Sequence, residues 1–164
     1  MTAGAYADVP LFVFHLLEFL DVDFDFDLDE VNERWVELAS ADEWSQMVIK
    51  EVSPTVERID RAAPTGQYAL DARGVLVFRR AALDWHQLVN ESEAFFLRIY
   101  GAGDYRWKGA DLGVLVTRGK LQTDDGRRLT IRAEHLVESI RAMYGGTPLV
   151  PPAQPRTAPG IKSS

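Results

Sequence analysis

Residues 68–78, with the sequence YALDARGVLVF, predict a strand, a turn and a second strand. Apolar and β-branched residues at the two ends of this stretch flank DARG, a combination typical of a tight turn. A second hairpin is predicted over 120–131, around an Asp-Gly turn. Strands joined by such short turns run antiparallel, so we expect a small, mainly antiparallel sheet.

Helices are predicted around these hairpins. Asp27 and Glu30 have the spacing of a capping box, which predicts a helix that runs from there to about Ala39. Apolar spacing and the positions of proline predict four more helices, over 42–52, 54–62, 81–100 and 133–144. Because helices and hairpins are mixed along the chain, the predicted fold class is α+β, with the helices packed on the sheet.

A single globular domain is predicted over 1–146. A chain of 164 residues is long enough to bury one hydrophobic core. Its hydrophobic fraction of 46% and charged fraction of 26% are those of an ordinary globular protein. Residues 147–164 contain five prolines and few large apolar side chains, so a disordered tail is predicted there.

The amino-acid composition also indicates in which cellular compartment the protein resides. The chain contains no cysteine, which excludes disulfides, thiolate catalysis and cysteine-ligated metal sites and fits a reducing environment. The apolar run 10–20 is shorter than the roughly 20 residues that cross a bilayer. It forms either a helix or a strand, and Pro10 favours the helix. The region before it lacks the basic residues of a signal peptide, so we expect a cytoplasmic protein without membrane insertion.

The net charge of −7 is divided unevenly between the two parts of the chain. Residues 1–60 hold 15 acidic and 3 basic side chains, whereas residues 61–164 hold 10 acidic and 15 basic ones. The two parts either neutralise each other within one domain, or meet between copies, or leave an acidic face for a basic partner. The negative total makes nucleic acid the less favoured partner, although a local basic site remains an option.

The acidic segment, residues 21–30, supplies the first candidate surface. Aspartate occupies every second position from 21 to 29, which predicts a strand over 21–27 with one polar face and one apolar face. An EF-hand is excluded because no register places glycine at loop position 6. A Mg²⁺ or Mn²⁺ site is the alternative to an acidic contact surface. The residues assigned to the contact surface are Asp21, Asp23, Asp25 and Asp27.

A second candidate surface combines aromatic and basic residues. Arg118, Lys120, Arg127 and Arg128 belong to the basic ribbon, residues 118–132. The loop before it contributes three more residues of the types that dominate protein contacts, namely Tyr105, Arg106 and Trp107. The same mixture can contact a nucleic acid by stacking and phosphate binding. Protein contact is favoured because the chain is acidic overall.

The chain lacks the sequence motifs of common catalytic sites. Its three histidines are far apart, and neither H-E-x-x-H, G-x-S-x-G nor a phosphate-binding glycine motif occurs. No cofactor is predicted. The leading hypothesis is therefore a non-enzymatic interaction or assembly protein, an accessory subunit whose partner is another protein or a copy of itself. The alternatives are a metal-dependent enzyme of phosphate chemistry that uses the acidic segment, and a nucleic-acid-binding regulator that uses the basic ribbon.

Overall fold

The computed structural model describes residues 16–20, 25, 27–41 and 43–149. Two antiparallel sheets dominate this part of the chain, one of five strands in the order β1-β7-β5-β3-β4 and one of three strands in the order β6-β2-β8. The strands are β1 (Trp44–Lys50), β2 (Glu57–Arg61), β3 (Gly66–Leu70), β4 (Leu76–Arg80), β5 (Glu93–Arg98), β6 (Tyr105–Arg106), β7 (Asp111–Arg118) and β8 (Gly145–Pro148), and the helices are α1 (Leu28–Ala41) and α2 (Ile131–Ala142). The α+β prediction holds in this broad form, with the sheets dominant.

The middle of the five-stranded sheet is covered on both faces. Its inner face packs Phe96 and Leu115 against Leu136 and Ile140 of α2 within the main core. Its outer face carries a second cluster around Phe95, which the loop between β4 and β5 covers. Because β5 lies in the middle of the sheet, its successive side chains are buried alternately on the two faces.

Helix α2 forms as its apolar spacing predicts. The Thr130 hydroxyl caps it by accepting a hydrogen bond from the Ala133 N–H (3.2 Å). Its buried residues are Ala133, Leu136, Val137 and Ile140, which form one apolar stripe along the helix. The chain continues from α2 almost directly into β8, which begins with Gly145 and Gly146. The domain boundary predicted between residues 146 and 147 falls inside this strand, which pairs with β2.

Three predicted helices are wrong. The stretch 42–52 contains β1, the stretch 54–62 contains β2, and the stretch 81–100 is a loop followed by β5. In β5 adjacent apolar residues are buried on opposite faces of the sheet, and in β1 the apolar Val48 is exposed beside the buried Ile49, so neither sequence alternates between apolar and polar residues. Such strands lack the strict polar alternation of a half-exposed strand, and their apolar runs imitate helical spacing.

The predicted hairpin over 68–78 is confirmed by the pairing of β3 with β4. The Asp71 carboxylate closes its turn by accepting hydrogen bonds from the N–H groups of Val75 (3.0 Å) and Arg73 (2.9 Å). These two backbone hydrogen bonds hold the pKa of Asp71 below its usual value. Gly74 completes the turn with a φ of +77°, a conformation that favours glycine.

The hairpin predicted over 120–131 is present in a reduced form. One isolated β-bridge joins Gln122 to Leu129, and the Thr123 N–H donates to the Arg128 carbonyl (2.9 Å). The Asp125 carboxylate organises the intervening turn by accepting from the Thr123 hydroxyl. The basic ribbon is therefore a short loop with one bridge rather than a pair of strands.

The N-terminal predictions are tested only in part. Residues 16–19 form one helical turn, in agreement with the helix favoured over 10–20, and residues 10–15 lie outside the described residues. The strand predicted over 21–27 is wrong at the two positions that the structure describes, because Asp25 is irregular and Asp27 caps α1. Asp21 and Asp23 lie outside the described residues.

The cap predicted at Asp27 is confirmed. Its Oδ1 accepts hydrogen bonds from the N–H groups of Asp29 (2.8 Å) and Glu30 (3.3 Å). Replacing Asp27 by alanine should destabilise α1 by about 1 kcal/mol, because these donors lose their acceptor. Hydrogen exchange of the amides at positions 29 and 30 should then accelerate. Asp27→Asn keeps an acceptor oxygen and serves as the control, and equal exchange in both variants would contradict the capping role.

Candidate interaction surface

A buried ion cluster joins the loop after β1 to the three-stranded sheet. Arg106 Nη1 lies 3.0 Å from Glu51 Oε2, and Arg106 Nη2 lies 2.5 Å from Glu57 Oε2. The side chains of Arg106, Glu51 and Glu57 are only 13%, 8% and 16% exposed. Arg106, which was predicted to lie in an interface, therefore points inward and fixes the position of β6. Glu51 and Glu57 come from the acidic part of the chain, so this cluster is an instance of neutralisation within the domain.

The two neighbours of Arg106 point outward. Tyr105 is 48% exposed and Trp107 is 45% exposed, although both are large aromatic residues. The Trp107 ring packs edge-on against Tyr100, with 5.6 Å between the ring centroids. Tyr100 in turn packs against the main core. Tyr105 on β6 and Trp107 directly after it are therefore anchored from beneath by the ion pairs of Arg106 and by the ring contact with Tyr100.

Two aliphatic side chains extend this exposed surface across the small sheet. The Leu149 N–H donates to the Val56 carbonyl (3.0 Å), which continues the pairing of β8 with β2 by one residue. The register of β2 with β6, continued by one residue, places Val56 opposite Trp107. Val56 and Leu149 are 42% and 50% exposed. We call the surface formed by Val56, Tyr105, Trp107 and Leu149 the aromatic face.

Sequence reasoning identified the two aromatic members of this face but not the aliphatic ones. Val56 is a single apolar residue among polar ones, and Leu149 belongs to a Leu-Val pair between prolines, so nothing local distinguishes them. They join the face only because β2 pairs with both β6 and β8. The inward orientation of Arg106 likewise depends on carboxylates that lie about 50 residues earlier in the chain.

Much of the basic ribbon is engaged in internal contacts. The Arg118 guanidinium lies over the Trp44 ring, 4.5 Å from its centroid, and its Nε donates to the Leu88 carbonyl (2.6 Å). Lys120 Nζ lies 3.2 Å from Asp124, and this hydrogen bond raises the pKa of Lys120. Arg132 donates hydrogen bonds to the Thr117 hydroxyl and to three backbone carbonyls, those of Glu91, Arg118 and Lys120.

Arg127 and Arg128 complete the ribbon on its exposed side. Within the described residues their backbone N–H groups bond to Asp125 and Thr123, and no hydrogen bond or ion pair of their guanidinium groups is seen. An open groove of about 500 Å³ separates the ribbon from the edge strand β1. The groove was not predicted, because its existence depends on β1 being a strand rather than a helix.

The structure separates the two halves of the surface predicted over 105–132. Tyr105 and Trp107 of the aromatic face precede the start of β7, and the basic ribbon begins at Arg118, the last residue of β7. A strand of eight residues spans roughly 23 Å at a rise of about 3.3 Å per residue. The aromatic face and the basic ribbon are therefore distinct surfaces at opposite ends of one strand.

The acidic segment is described only in part. Asp25 is exposed, and the carboxylate of Asp27 is occupied with the cap of α1. Within residues 16–20, 25, 27–41 and 43–149, no group of three or more metal-ligating side chains is arranged around a common point. The acidic contact surface at Asp21, Asp23, Asp25 and Asp27 stays a prediction.

Comparison of the chain with protein families, with curated proteins and with solved structures finds no match. Among the described helices, none is long and apolar enough to cross a membrane. We therefore infer the function from the surfaces that the structure exposes.

Proposed function

We propose that the protein is a non-enzymatic interaction or assembly protein, an accessory subunit that binds another protein or a second copy of itself through the aromatic face. The observation that carries this proposal is the exposure of Tyr105 and Trp107 on either side of the buried Arg106. Tyrosine and tryptophan dominate the energetics of protein contacts, because they bury a large area at little cost in conformational entropy.

Rigidity of the aromatic face supports the same proposal. The ion pairs of Arg106 with Glu51 and Glu57 hold β6 in place before any partner arrives. A surface that is already ordered loses less entropy on association, so more of its contact energy becomes affinity. Polar residues flank the apolar centre. Among them, Thr147 of β8 donates a hydrogen bond from its hydroxyl to the carboxylate of Asp60 on β2 (2.6 Å). An apolar centre with a polar rim is the usual anatomy of a protein interface.

The other parts of the proposal rest on the sequence. The acidic segment would form a second contact surface, as the uneven charge distribution suggests. A cytoplasmic location agrees with the absence of cysteine. Neither alternative function gains a specific observation, since Asp27 serves as a helix cap and Arg118 is held by the Leu88 carbonyl.

The test compares two double variants. Tyr105→Ser with Trp107→Ser removes the centre of the aromatic face, whereas Leu83→Ser with Val89→Ser removes two side chains that are 83% and 72% exposed elsewhere. We expect the first variant to bind its partner at least about 30-fold more weakly, the loss typical of a hot spot of 2 kcal/mol. We expect the second variant to bind as the original chain does.

Affinity-tagged chains would be incubated with extract from the cells that make the protein, and mass spectrometry would compare the recovered proteins. Light scattering at low and high salt would detect a second copy as the partner. Recovery of the same proteins, and the same solution mass, with Tyr105→Ser/Trp107→Ser as with the original chain would overturn the proposal.

A further inference from the structure

We propose that the proline-rich segment that follows β8, residues 150–159, covers the aromatic face of its own chain when no partner is bound. The inference rests on the proposed function in one respect, namely that the aromatic face is a binding surface. The inference adds to the proposed function a segment that covers the aromatic face. It also adds a form of regulation, because the segment and the partner would then compete for the same side chains.

The position at which the described chain ends supports this occupant. Leu149 is itself a member of the aromatic face, and at least fifteen further residues follow it. The strand before it, β8, lies beside β2, and β6 lies on the other side of β2. Pro148 and Arg106 both pair with Glu57 from opposite sides. The segment therefore starts at one border of the face, and the two aromatic residues lie at the other border.

The chemistry of the segment fits the face. It reads VPPAQPRTAP, with four prolines in ten residues. Proline has no N–H, so Pro151 and Pro152 cannot continue the hydrogen-bonded pairing of β8 with β2. Consecutive prolines favour the polyproline II helix, which loses little entropy on binding. Exposed aromatic side chains are the surfaces that recognise this conformation in proteins.

The distances permit the contact within one chain. Crossing from β8 over β2 to β6 requires two strand spacings, about 9.6 Å. A polyproline II helix rises about 3.1 Å per residue, so the six residues 150–155 span roughly 19 Å. That length reaches from Leu149 past Val56 to Trp107 and leaves residues for a turn. A short tether of this kind gives an effective concentration in the millimolar range, so even weak contacts would keep the face covered.

The test uses a nitroxide spin label on Gln154→Cys, which is the only thiol in the labelled chain because the protein has no cysteine. In the full chain labelled with ¹⁵N, we expect the label to broaden the amide signals of Arg58, Tyr105 and Trp107. Signals of the basic ribbon, at the other end of β7, should keep their widths. Adding Pro151→Ser, Pro152→Ser and Pro155→Ser should weaken the broadening several-fold, since the segment then loses its polyproline II preference and the label spends most of its time away from the aromatic face.

Three outcomes would overturn the inference. The first is an unchanged signal at Tyr105 and Trp107 in the labelled full chain, and the second is broadening that is equally strong with and without the three serine substitutions. The third is broadening in a mixture of spin-labelled unenriched chains with unlabelled ¹⁵N chains, which would make a second copy the occupant.

The partner assay separates this inference from the proposed function. Loss of partner binding in Tyr105→Ser/Trp107→Ser without any broadening by the label would leave the proposed function standing and overturn only the inference about the segment. Broadening without loss of partner binding would overturn the proposed function. If both hold, the triple serine variant should bind the partner several-fold more tightly than the original chain.

Discussion

Replacing Arg106 by methionine is expected to lower the free energy of unfolding by about 3–5 kcal/mol. The substitution leaves Glu51 and Glu57 largely buried and without their counter-ion, and an uncompensated charge in a protein interior costs this much. Glu51 keeps two backbone N–H donors, from Val52 and Ser53 at 2.8 Å, so Glu57 should contribute the larger share. Partner binding should weaken as well, because β6 loses its anchor.

Urea unfolding of the full chain measures this effect, and the pair formed by Lys50 and Asp111 supplies the control. Lys50 Nζ lies 2.5 Å from Asp111, but both side chains are about half exposed. Lys50→Met should therefore cost no more than about 1 kcal/mol. Adding Glu51→Gln and Glu57→Gln to Arg106→Met should restore part of the loss. Equal costs for Arg106→Met and Lys50→Met would show that the buried cluster does not stabilise the fold.

Two buried tyrosines should make the protein sensitive to alkaline pH. Burial raises the pKa of Tyr144 from 10.0 to about 12, and burial also raises the pKa of Tyr68 well above its usual value. The Tyr144 hydroxyl bonds to the Leu112 carbonyl (3.0 Å), and the Tyr68 hydroxyl bonds to the Pro64 carbonyl (2.5 Å). In the unfolded chain both hydroxyls ionise near pH 10, whereas in the folded chain they stay protonated.

The free energy of unfolding should therefore fall as the pH rises above 10. Each raised pKa contributes stability that is fully present below pH 10 and is lost at about 1.4 kcal/mol per pH unit up to the folded-state pKa. By pH 11.5 the two tyrosines together should cost roughly 4 kcal/mol. Between pH 10 and 11.5, the free energy of unfolding measured in urea should fall by roughly 4 kcal/mol less in the variant with Tyr68→Phe and Tyr144→Phe than in the original chain. The original chain is the reference, and parallel curves for the two chains would refute the linkage.

Local signals account for the elements that the sequence predicts correctly. The turn at Asp71 and the cap at Asp27 each depend on hydrogen bonds between residues two to four positions apart. Helix α2 buries an apolar stripe on one face and exposes its opposite face to solvent, so the helical spacing of its apolar residues is visible in the sequence. These elements need no knowledge of the rest of the fold.

The missed strands depend on partners that are distant in sequence. Phe95 and Phe96 are both fully buried, one on each face of the five-stranded sheet, because β5 has α2 on one side and a loop on the other. A run that is apolar on both faces carries no alternation, so sequence periodicity alone cannot separate it from a buried helix. The candidate surface shows the same limit, since Tyr105 and Trp107 are recognisable as contact residues but the inward role of Arg106 is not.

The pairing of β1 with β7 has a consequence for the synthesis of the protein. Trp44 pairs with Arg118, so the chain between these two positions must be made before this pair can form. At about 5–20 residues per second, a ribosome takes roughly 4–15 s to bridge that interval. During this time WSQMVIK has no neighbouring strand and presents an unpaired apolar edge, the kind of segment that aggregates when it waits. A nascent chain that stalls before residue 118 therefore cannot complete the larger sheet.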